Sequence, residues 1–371
     1  MMEDQDSLRS AFSAVITKQI DDARQEATES GWSQGLWRCF EEEGFTVVAV
    51  PETAGGSGGT LVDLATMLKV AGYHAAPAPL AEPNVAAWAL AGAGCDVIPG
   101  PLAVVPDAAN HPVKLSEVAG EWRAAGSLSA VPWAGCSDSI VVLAGDAVTP
   151  KEHPASGPLL GVVARAECEL TPGVNLAGEP CEDVRLPPDG VEMMTVPNGS
   201  QAHPAAVQAL SVLTSALLMT GSLRRVLDLS VLYARQREQF GRPIDRFQAV
   251  QQHLAHLAGG VEQAEAIVDT AVVEFGAELR GEMSVLAAKT CAAEVAQVAI
   301  SVGHQIHGAI GMTAEHELHH HTRRLMAWRD VYGSEIRSGR ELGRLITQMG
   351  PDALWELLTG PSSLLVSDGQ V

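Results

Sequence analysis

The strongest candidate for chemistry is the stretch over residues 233–251, which reads YARQREQFGRPIDRFQAVQ. An apolar helical pattern ends here, and Gly241 and Pro243 separate it from the next helical pattern. Arg237 offers a planar guanidinium that can grip a phosphate, and Phe240 offers an apolar face beside it. A cationic turn that compensates the dipole of the preceding helix would use the same residues. The stretch therefore predicts either an anion site or a helix-terminating turn.

Two further patterns are weaker. Histidines stand at 316 and at 319–321, and those at 316 and 320 could share one helical face. We interpret them as a polar face or an interface and predict that the chain has no metal site. The glycine-rich loop over residues 50–61 precedes a helix, but it lacks the Gly-Lys-Ser/Thr of a phosphate-binding loop.

The elements that must position these residues fall into three segments. Residues 1–99 have a helical pattern and form an N-terminal α-helical domain. Residues 100–203 contain short β-rich runs between Pro and Gly, which predict a small middle β domain. Residues 204–371 return to long Ala- and Leu-rich helical patterns that end in Gly or Pro, which are typical of an antiparallel helical bundle. The fold class is therefore mainly α with a small central β domain.

Composition excludes several classes of function. The chain has 24 Lys and Arg against 45 Asp and Glu, and its net charge of −21 disfavours binding to nucleic acid or anionic membranes. Hydrophobic residues make up 46% of the chain, which argues against disorder. The six cysteines are scattered and predict reduced thiols. With an acidic N-terminus that lacks a signal pattern, and without a predicted membrane span, we expect a cytoplasmic protein.

Residues 233–251 closely resemble the signature of the FAD-dependent acyl-CoA dehydrogenases. Residues 50–58, VPETAGGSG, resemble the "PE…GG.G" segment of that family, and residues 305–311, QIHGAIG, resemble its "Q.hGG.G" motif. The order of a helical, a β and a helical domain is also similar. The resemblance covers nearly the whole chain and implies a β-barrel-like middle domain followed by a C-terminal four-helix bundle.

The resemblance implies the oxidation of an acyl-CoA thioester. A carboxylate removes the proton α to the carbonyl, the β-hydride passes to FAD, and an electron-transfer flavoprotein or a similar acceptor takes the electrons. It further implies a set of residues that reach FAD bound largely by a neighbouring subunit. These are Arg237, Gln239, Phe240, Phe247 and Gln248, together with Gln305, His307, Gly308 and Ala309.

The chain departs from the family at the catalytic base. In most members the base is a Glu directly before a glycine, and that glycine matches Gly333, so the base position is occupied by Tyr332. In other members the base lies on the long helix before the signature, at a position occupied by Ser211. Neither residue is a carboxylate, and neither is a good proton acceptor at neutral pH.

A second departure lies in the β domain. The family holds the flavin ring with a "TEP..GSD" loop and a following "G.K.WIT" strand. Residues 101–122 lack that loop, and Ala130, Val131 and Pro132 stand where "WIT" belongs. The chain is therefore predicted to be unable to complete a flavin site by itself.

Both departures resemble the base-lacking subunit of the α2β2 acyl-CoA dehydrogenases of actinobacterial steroid catabolism. The implied partner is a homologous subunit that supplies the catalytic Glu, and the implied substrate is a bulky, steroid-derived CoA thioester. Two alternatives stay open. One is a homo-oligomeric enzyme whose base has moved to Glu315, Glu317, Asp330 or Glu335. The other is a non-catalytic scaffold of the same fold.

Overall fold

A computed structural model describes residues 2–145, 155, 157–197, 199–278 and 281–359 of the chain. Met1 and residues 360–371, which belong to the two outer predicted domains, lie outside the described residues. The helices of the described part are α1 Met2–Ser30, α2 Gln34–Glu42, α3 Leu61–His74, α4 Ala81–Gly92, α5 Pro204–Gln236, α6 Gln248–Glu278, α7 Glu282–His307, α8 Leu318–Trp328 and α9 Glu335–Thr359.

One mixed sheet lies between α4 and α5 in the chain. Its strands are β1 Leu102–Val105, β2 Val113–Val118, β3 Glu121–Pro132, β4 Ser139–Ala144, β5 Leu159–Ala164, β6 Glu169–Thr171, β7 Cys181–Arg185 and β8 Val191–Thr195. The strand order is β1-β4-β5-β8-β3-β7-β6, and β2 pairs with β3. Strand β1 runs parallel to β4, and the other pairs are antiparallel. The continuous apolar run of β4 is buried, as expected for a strand covered on both faces.

Helix α5 is the central element of the bundle. Pro204 occupies its first turn, where a missing N–H costs nothing, and the His203 side chain accepts a hydrogen bond from the backbone N–H of Ala205. Its 33 residues span about 50 Å at 1.5 Å per residue. Helices α3, α6, α7 and α8 pack around it. The helix ends at Gln236, where Arg237 leaves helical geometry.

Helices α3 and α5 cross at two glycines. A Cβ atom on Gly72 would collide with the backbone of Leu218, and a Cβ atom on Gly221 would collide with the backbone of Lys69. Glycine is therefore required at both positions, because the two helix backbones touch there. This crossing joins the N-terminal helices to the bundle, and both contribute to one shared hydrophobic cluster.

The sheet has its own hydrophobic cluster, which includes Leu128, Ile140 and Val184. The fold predicted from the sequence, mainly helical with a central β region, is confirmed. The six cysteines are free thiols, as expected.

Within the part of the chain that the structure describes, two helical segments, Pro204–Gln236 and Glu282–Met312, are long and apolar enough to cross a membrane by length and composition. In the apolar window of the first, 83% of the residues are buried inside the protein, and in that of the second 56% are. Core helices of a bundle pass the same test, because a helix that is covered on most sides has an apolar sequence on most sides.

The free energy of unfolding should depend on pH because the pKa of His74 differs between the folded and unfolded states. Its Nε2 atom lies 2.8 Å from the Ser13 hydroxyl, and burial together with Arg225 and Arg24 lowers the pKa of the imidazole to about 4. A histidine in the unfolded chain binds a proton near pH 6.5, so the unfolded state gains protons first as pH falls. We expect the stability of the wild type, relative to His74→Gln, to fall as pH drops from 6.5 to 4.

The measurement is urea unfolding of both proteins across this range. A difference in the free energy of unfolding that stays constant with pH would contradict the environment described for His74.

Candidate functional site

A crevice lies between the sheet and the bundle. Its inner part is a cavity of about 320 Å³ lined by the ends of β1 and β3 and by the segment that follows α8. A larger cavity of about 740 Å³ adjoins the first turns of α5, α7 and α9. Gln208, Tyr332, Gly333 and Arg337 line both cavities, so the two form one continuous crevice.

The base position is carried by residues 329–334, which we call the base loop. The ammonium of Lys289 on α7 is fully buried and donates to the carbonyl oxygens of Trp328 at 2.5 Å and Val331 at 3.1 Å. The amide of Gln208 on α5 donates to the carbonyl of Tyr332 at 2.6 Å. Tyr332 has a φ of 59°, an unfavourable angle for a side chain with a Cβ. These bonds from α5 and α7 hold the loop in that conformation.

The Tyr332 side chain meets a carboxyl group that sequence reasoning missed. Its hydroxyl donates to Glu82 Oε1 at 3.2 Å, and Glu82 is 6% exposed. Burial raises the pKa of Glu82 to about 7, and it raises the pKa of Tyr332 well above its ordinary value. The available signal was weak: Glu82 is the one charged residue in the mostly apolar sequence of α4.

Glu82 and Tyr332 border a small enclosed cavity of about 30 Å³. Residues from α3, α4, α5 and α8 surround it, together with the loop before β7. On the far side Glu179 accepts from the Asn175 amide and the Trp328 indole and forms a buried ion pair with Arg324 at 2.9 Å. A cavity needs roughly 10 to 15 Å³ of this volume to hold a water molecule, so this one has room for water.

Ser211, the second predicted base position, is fully buried in α5. Its hydroxyl donates to the carbonyl of Val207 at 2.8 Å, within its own helix. The four carboxylates proposed as relocated bases have different surroundings. Asp330 lines the crevice, Glu317 is paired with Arg225 and Arg24, Glu335 is paired with Arg329, and Glu315 is exposed.

The part of the crevice formed by β3 does not fit a flavin ring. A bulge interrupts the pairing of β3 with β7 between Leu128 and Val131. In that bulge the N–H of Ser129 donates to His111, the N–H of Ala130 donates to Asp183, and Pro132 has no N–H. A flavin ring is held by donors directed at its nitrogen and oxygen atoms, and these donors are engaged or missing.

The side chain of Arg337, which also lines this crevice, donates to Asn110 at 2.8 Å. Asn110 belongs to a short 3-10 turn, Ala108–Asn110, that follows β1. Residues 101–122, where the sequence predicts a departure from the family, therefore lie at the edge of this crevice. At that edge the Arg337 side chain is bonded to Asn110 of the same chain.

The signature turn lies at the other end of α5. After Arg237, strands β9 Glu238–Gln239 and β10 Arg242–Pro243 form a two-residue hairpin. Phe240 and Gly241 form its tip with φ angles of 53° and 77°, which matches a type I′ turn. The side chain of Phe240 is 93% exposed, although a large apolar ring is usually buried.

Other residues of this turn are also at the surface. Arg237, Gln239 and Gln248 are exposed. The Arg242 guanidinium stacks over the Phe247 ring at 4.2 Å, and the rings of Phe247 and Phe240 lie 6.1 Å apart. We call residues 237–248 the distal turn.

The second signature segment meets the distal turn at the same end of the bundle. His307, the last residue of α7, stacks on Tyr233 near the end of α5 with ring centroids 4.6 Å apart. Its Nδ1 atom lies 2.8 Å from the Gly303 carbonyl, and the residue is 3% exposed. Gln305, Gly308 and Ala309 are exposed. The structure thus presents these three at the surface and uses His307 to hold the two helix ends together.

The distal turn and the crevice are far apart within one chain. From Gln208 at the crevice to Arg237 at the turn, α5 rises about 40 Å at 1.5 Å per residue. A single dinucleotide cannot touch both ends of this helix.

The histidine-rich segment is organised as packing rather than as a metal centre. Residues 316–320 read HELHH, which matches the letters of HExxH. However, the His316 ring packs against His307, and the Glu317 carboxylate is bound by Arg225. Burial and nearby cations lower the pKa of His320 to about 3. Among the described residues, no group of three or more potential ligands could hold a metal ion.

Comparisons with known proteins agree with this architecture. Residues 2–96 match the acyl-CoA dehydrogenase N-terminal domain, and residues 209–336 match the acyl-CoA dehydrogenase C-terminal domain. The chain belongs to the acyl-CoA dehydrogenase family. It is therefore placed among oxidoreductases that act on the CH–CH bond of CoA thioesters, a family whose cofactor is FAD.

Several members of this family are similar over most of the chain. The acyl-CoA dehydrogenase IpdE2 of Mycobacterium tuberculosis is 27% identical over 331 residues, which cover 87% of this chain and 91% of the relative. A variant of the Tcur3481-Tcur3483 steroid ACAD superimposes with a TM-score of 0.83 and 25% identity, covering 93% of this chain and 98% of the other.

The ChsE4-ChsE5 complex from Mycobacterium tuberculosis shares the fold with a TM-score of 0.78 and 23% identity, covering 96% and 98% of the two chains. The predicted resemblance to steroid-degrading members of the family is confirmed.

Replacing the buried carboxyl of Glu82 should stabilise the protein at high pH. Glu82→Gln keeps an oxygen that can accept from Tyr332 but carries no charge. Because the raised pKa of Glu82 means that its ionised form is disfavoured when folded, the variant should be more stable at pH 8 by on the order of 3 kcal/mol. The gain should shrink as pH falls from 7 to 4.5, where the wild-type carboxyl is neutral.

Urea unfolding at several pH values measures this gain. The exposed Glu294→Gln, on α7, is the matched control and should change stability little at any pH. A Glu82→Gln variant that is less stable than the wild type at pH 8 would show that the ionised carboxylate is favoured in the fold.

Proposed function

We propose that this chain is the base-lacking subunit of a heteromeric acyl-CoA dehydrogenase. Its distal turn binds part of an FAD molecule that is held mainly by a homologous partner. The partner's Glu removes the α proton of the substrate. The observation that carries this proposal is the separation of the two ends of α5. The exposed signature turn lies about 40 Å from a crevice whose base position is Tyr332.

The distal turn is suited to a dinucleotide held by another chain. Arg237 can donate a charge-assisted, two-pronged pair of hydrogen bonds to a pyrophosphate. Phe240 offers an uncovered apolar face, and Gln305 offers an amide from the adjacent end of α7. When bound, FAD supplies the acceptor for the β-hydride of the thioester. The role of this chain is then to bind and orient the nucleotide end and to shield it from water.

Proton abstraction is assigned to the partner because this chain offers no suitable acceptor at either family position. A base at neutral pH must be largely deprotonated before it accepts a proton. The pKa of Tyr332 is raised well above its ordinary value by burial and by Glu82, and the Ser211 hydroxyl bonds to its own helix. We infer that both are dispensable for the chemical step.

The proposed substrate is a bulky, steroid-derived CoA thioester. Similarity to a structure described as a steroid ACAD supports this class. The proposed electron acceptor is an electron-transfer flavoprotein or a similar protein, as the family resemblance implies.

Flavin content should depend on the partner. We expect the chain expressed alone to bind FAD weakly, because its own crevice lacks available donors at β3, and to acquire FAD when it is co-expressed with the homologous subunit. The visible absorption spectrum and the flavin-to-protein ratio of each preparation measure this. Stoichiometric flavin and dehydrogenase activity in the lone chain would point instead to the homo-oligomeric enzyme.

Removing Arg237 should loosen FAD in the assembled complex. A charge-assisted hydrogen bond contributes roughly 1.5 to 3 kcal/mol, so Arg237→Ala should raise the dissociation constant of FAD about 10- to 100-fold. Arg246→Ala is the matched control, since Arg246 is an exposed arginine of the same turn that pairs with Asp245. Equal flavin affinity in the two variants would show that Arg237 does not contact the cofactor.

A further inference from the structure

A separate groove lies outside both the crevice and the distal turn. Its volume is about 960 Å³, and its walls are the C-terminal part of α1, the loop over residues 172–180 and α8. Among the described residues, it shares no lining residue with the crevice. Small-molecule pockets measure about 300 to 1,000 Å³, so the groove has room for more than a single ion. We call it the basic groove, after its lining residues Arg24, His319, His320, Arg323 and Arg324.

The α8 wall of the basic groove has a positive field, although the whole chain carries a net charge of −21. Burial lowers the pKa of His320 to about 3, and the cations that lower it further are His319 and the three arginines of the groove. The pKa of the adjacent, fully buried His321 is also lowered by burial and by nearby arginines. A field that opposes a proton on these rings favours an anion beside them.

Arg323 is the cation that a ligand can reach. It is exposed on α8, and its Nε atom donates to the carbonyl of Leu176 at 2.9 Å. Among the described residues, its two terminal nitrogens make no hydrogen bond or ion pair. The other two arginines of the groove are already paired with Glu179 and Glu317. Arg323 therefore presents an anchored, planar fork with free donors, which suits a phosphate group.

The loop that anchors Arg323 has a fixed conformation. The side chain of Asn175 accepts hydrogen bonds from two backbone N–H groups of the loop. Gly178 has a φ of 84°, and a Cβ atom there would lie 3.5 Å from a terminal nitrogen of Arg323. Gly31, directly after α1, packs so closely that a Cβ atom would lie 3.1 Å from the Gly178 carbonyl oxygen. A ligand thus meets walls that need little ordering on binding.

The rest of the groove suits a flat, weakly polar group. The rings of His319 and His320 lie 3.9 Å apart between centroids. The low pKa of His320 keeps its ring neutral at pH 7, and nucleobases stack on such aromatic faces. Val174, from the loop, also lines the groove and is 71% exposed. The groove therefore places uncovered apolar surface in the same cavity as the fork of Arg323.

We propose that the basic groove binds a nucleoside diphosphate or triphosphate, with its phosphates on Arg323 and its base against His320 and Val174. A purely apolar ligand would remove water from the arginines without replacing their hydrogen bonds. A phosphate alone would leave the apolar walls uncovered. The inference does not rest on the proposed function, because the groove is built by this chain alone and can be tested without a partner or flavin.

Calorimetry of the full chain with ADP tests the site. Arg323→Gln keeps an amide that can donate to the Leu176 carbonyl but has neither the charge nor the fork. It should weaken ADP binding about 10- to 100-fold, because a charge-assisted hydrogen bond is lost. Arg38→Gln is the matched control, since it removes the same charge from an exposed arginine of α2, and it should leave ADP affinity unchanged. Equal weakening in both variants, or no ADP binding by the wild type, would overturn the proposal.

A second variant tests the apolar wall independently of Arg323. Val174→Asp changes an exposed side chain, so the fold should persist, and circular dichroism checks this. The new carboxylate should repel the phosphates and weaken ADP binding. A folded Val174→Asp chain with wild-type affinity would contradict the placement of the ligand in this groove.

Two further measurements locate the ligand and define its class. An ADP analogue with an azide on the base, followed by mass spectrometry, should label the loop over residues 172–180 or α8. Label confined to the distal turn or to the crevice would overturn the site. Pyrophosphate and adenosine should each bind more weakly than ADP. Pyrophosphate that binds as tightly as ADP would refute the assignment to a nucleotide, because the base would then contribute nothing.

Discussion

The fixed length of α5 is the constraint on which the rest of the molecule depends. An α-helix advances 1.5 Å per residue and does not shorten, so α5, which is about 50 Å long, holds the crevice at Gln208 and the distal turn at Arg237 about 40 Å apart. The crossing of Gly72 and Gly221 fixes the helix against α3 at mid-length. Within one subunit the two regions cannot contact the same cofactor molecule.

The buried ammonium of Lys289 is the second element of this organisation. Burial lowers the pKa of Lys289 to about 7, because a charge surrounded by protein loses its hydration. The Ser215 hydroxyl and the carbonyls of Trp328 and Val331 replace part of that hydration. One side chain therefore ends α8, fixes the base loop and contacts the wall of the small cavity. These bonds, together with the one from Gln208, give the loop a defined geometry around Tyr332.

The two carboxyl groups of the small cavity are held in different ways. Glu179 faces the Arg324 guanidinium, the indole of Trp328 and the amide of Asn175, so its charge is compensated by a cation and two donors. Glu82 is bonded by the hydroxyl of Tyr332, which is neutral, and its pKa is raised by burial and by the nearby Glu179. A buried carboxyl without a cationic partner costs stability when it is ionised.

The sequence alone determined the features that depend on local pattern. Helical periodicity predicted the long helices that follow residue 204, and the glycine and proline of residues 233–251 predicted the turn between α5 and α6, because capping and turn chemistry act over a few residues. The family and the fold followed from the same motifs and are confirmed. The assignment of Tyr332 to the family's base position is a sequence prediction that rests on a single position.

Tertiary structure decided which distant residues meet. Tyr332 and Glu82 are 250 positions apart, and nothing near Glu82 in the chain indicates a tyrosine partner. His307 lies in a cofactor motif, yet packing against Tyr233 buries it, while its neighbours Gln305 and Gly308 stay at the surface. A sequence pattern specifies which face of a helix is apolar, but the contact made by that face depends on how the helices cross. That crossing is fixed by the close approach of α3 and α5 and by the length of α5.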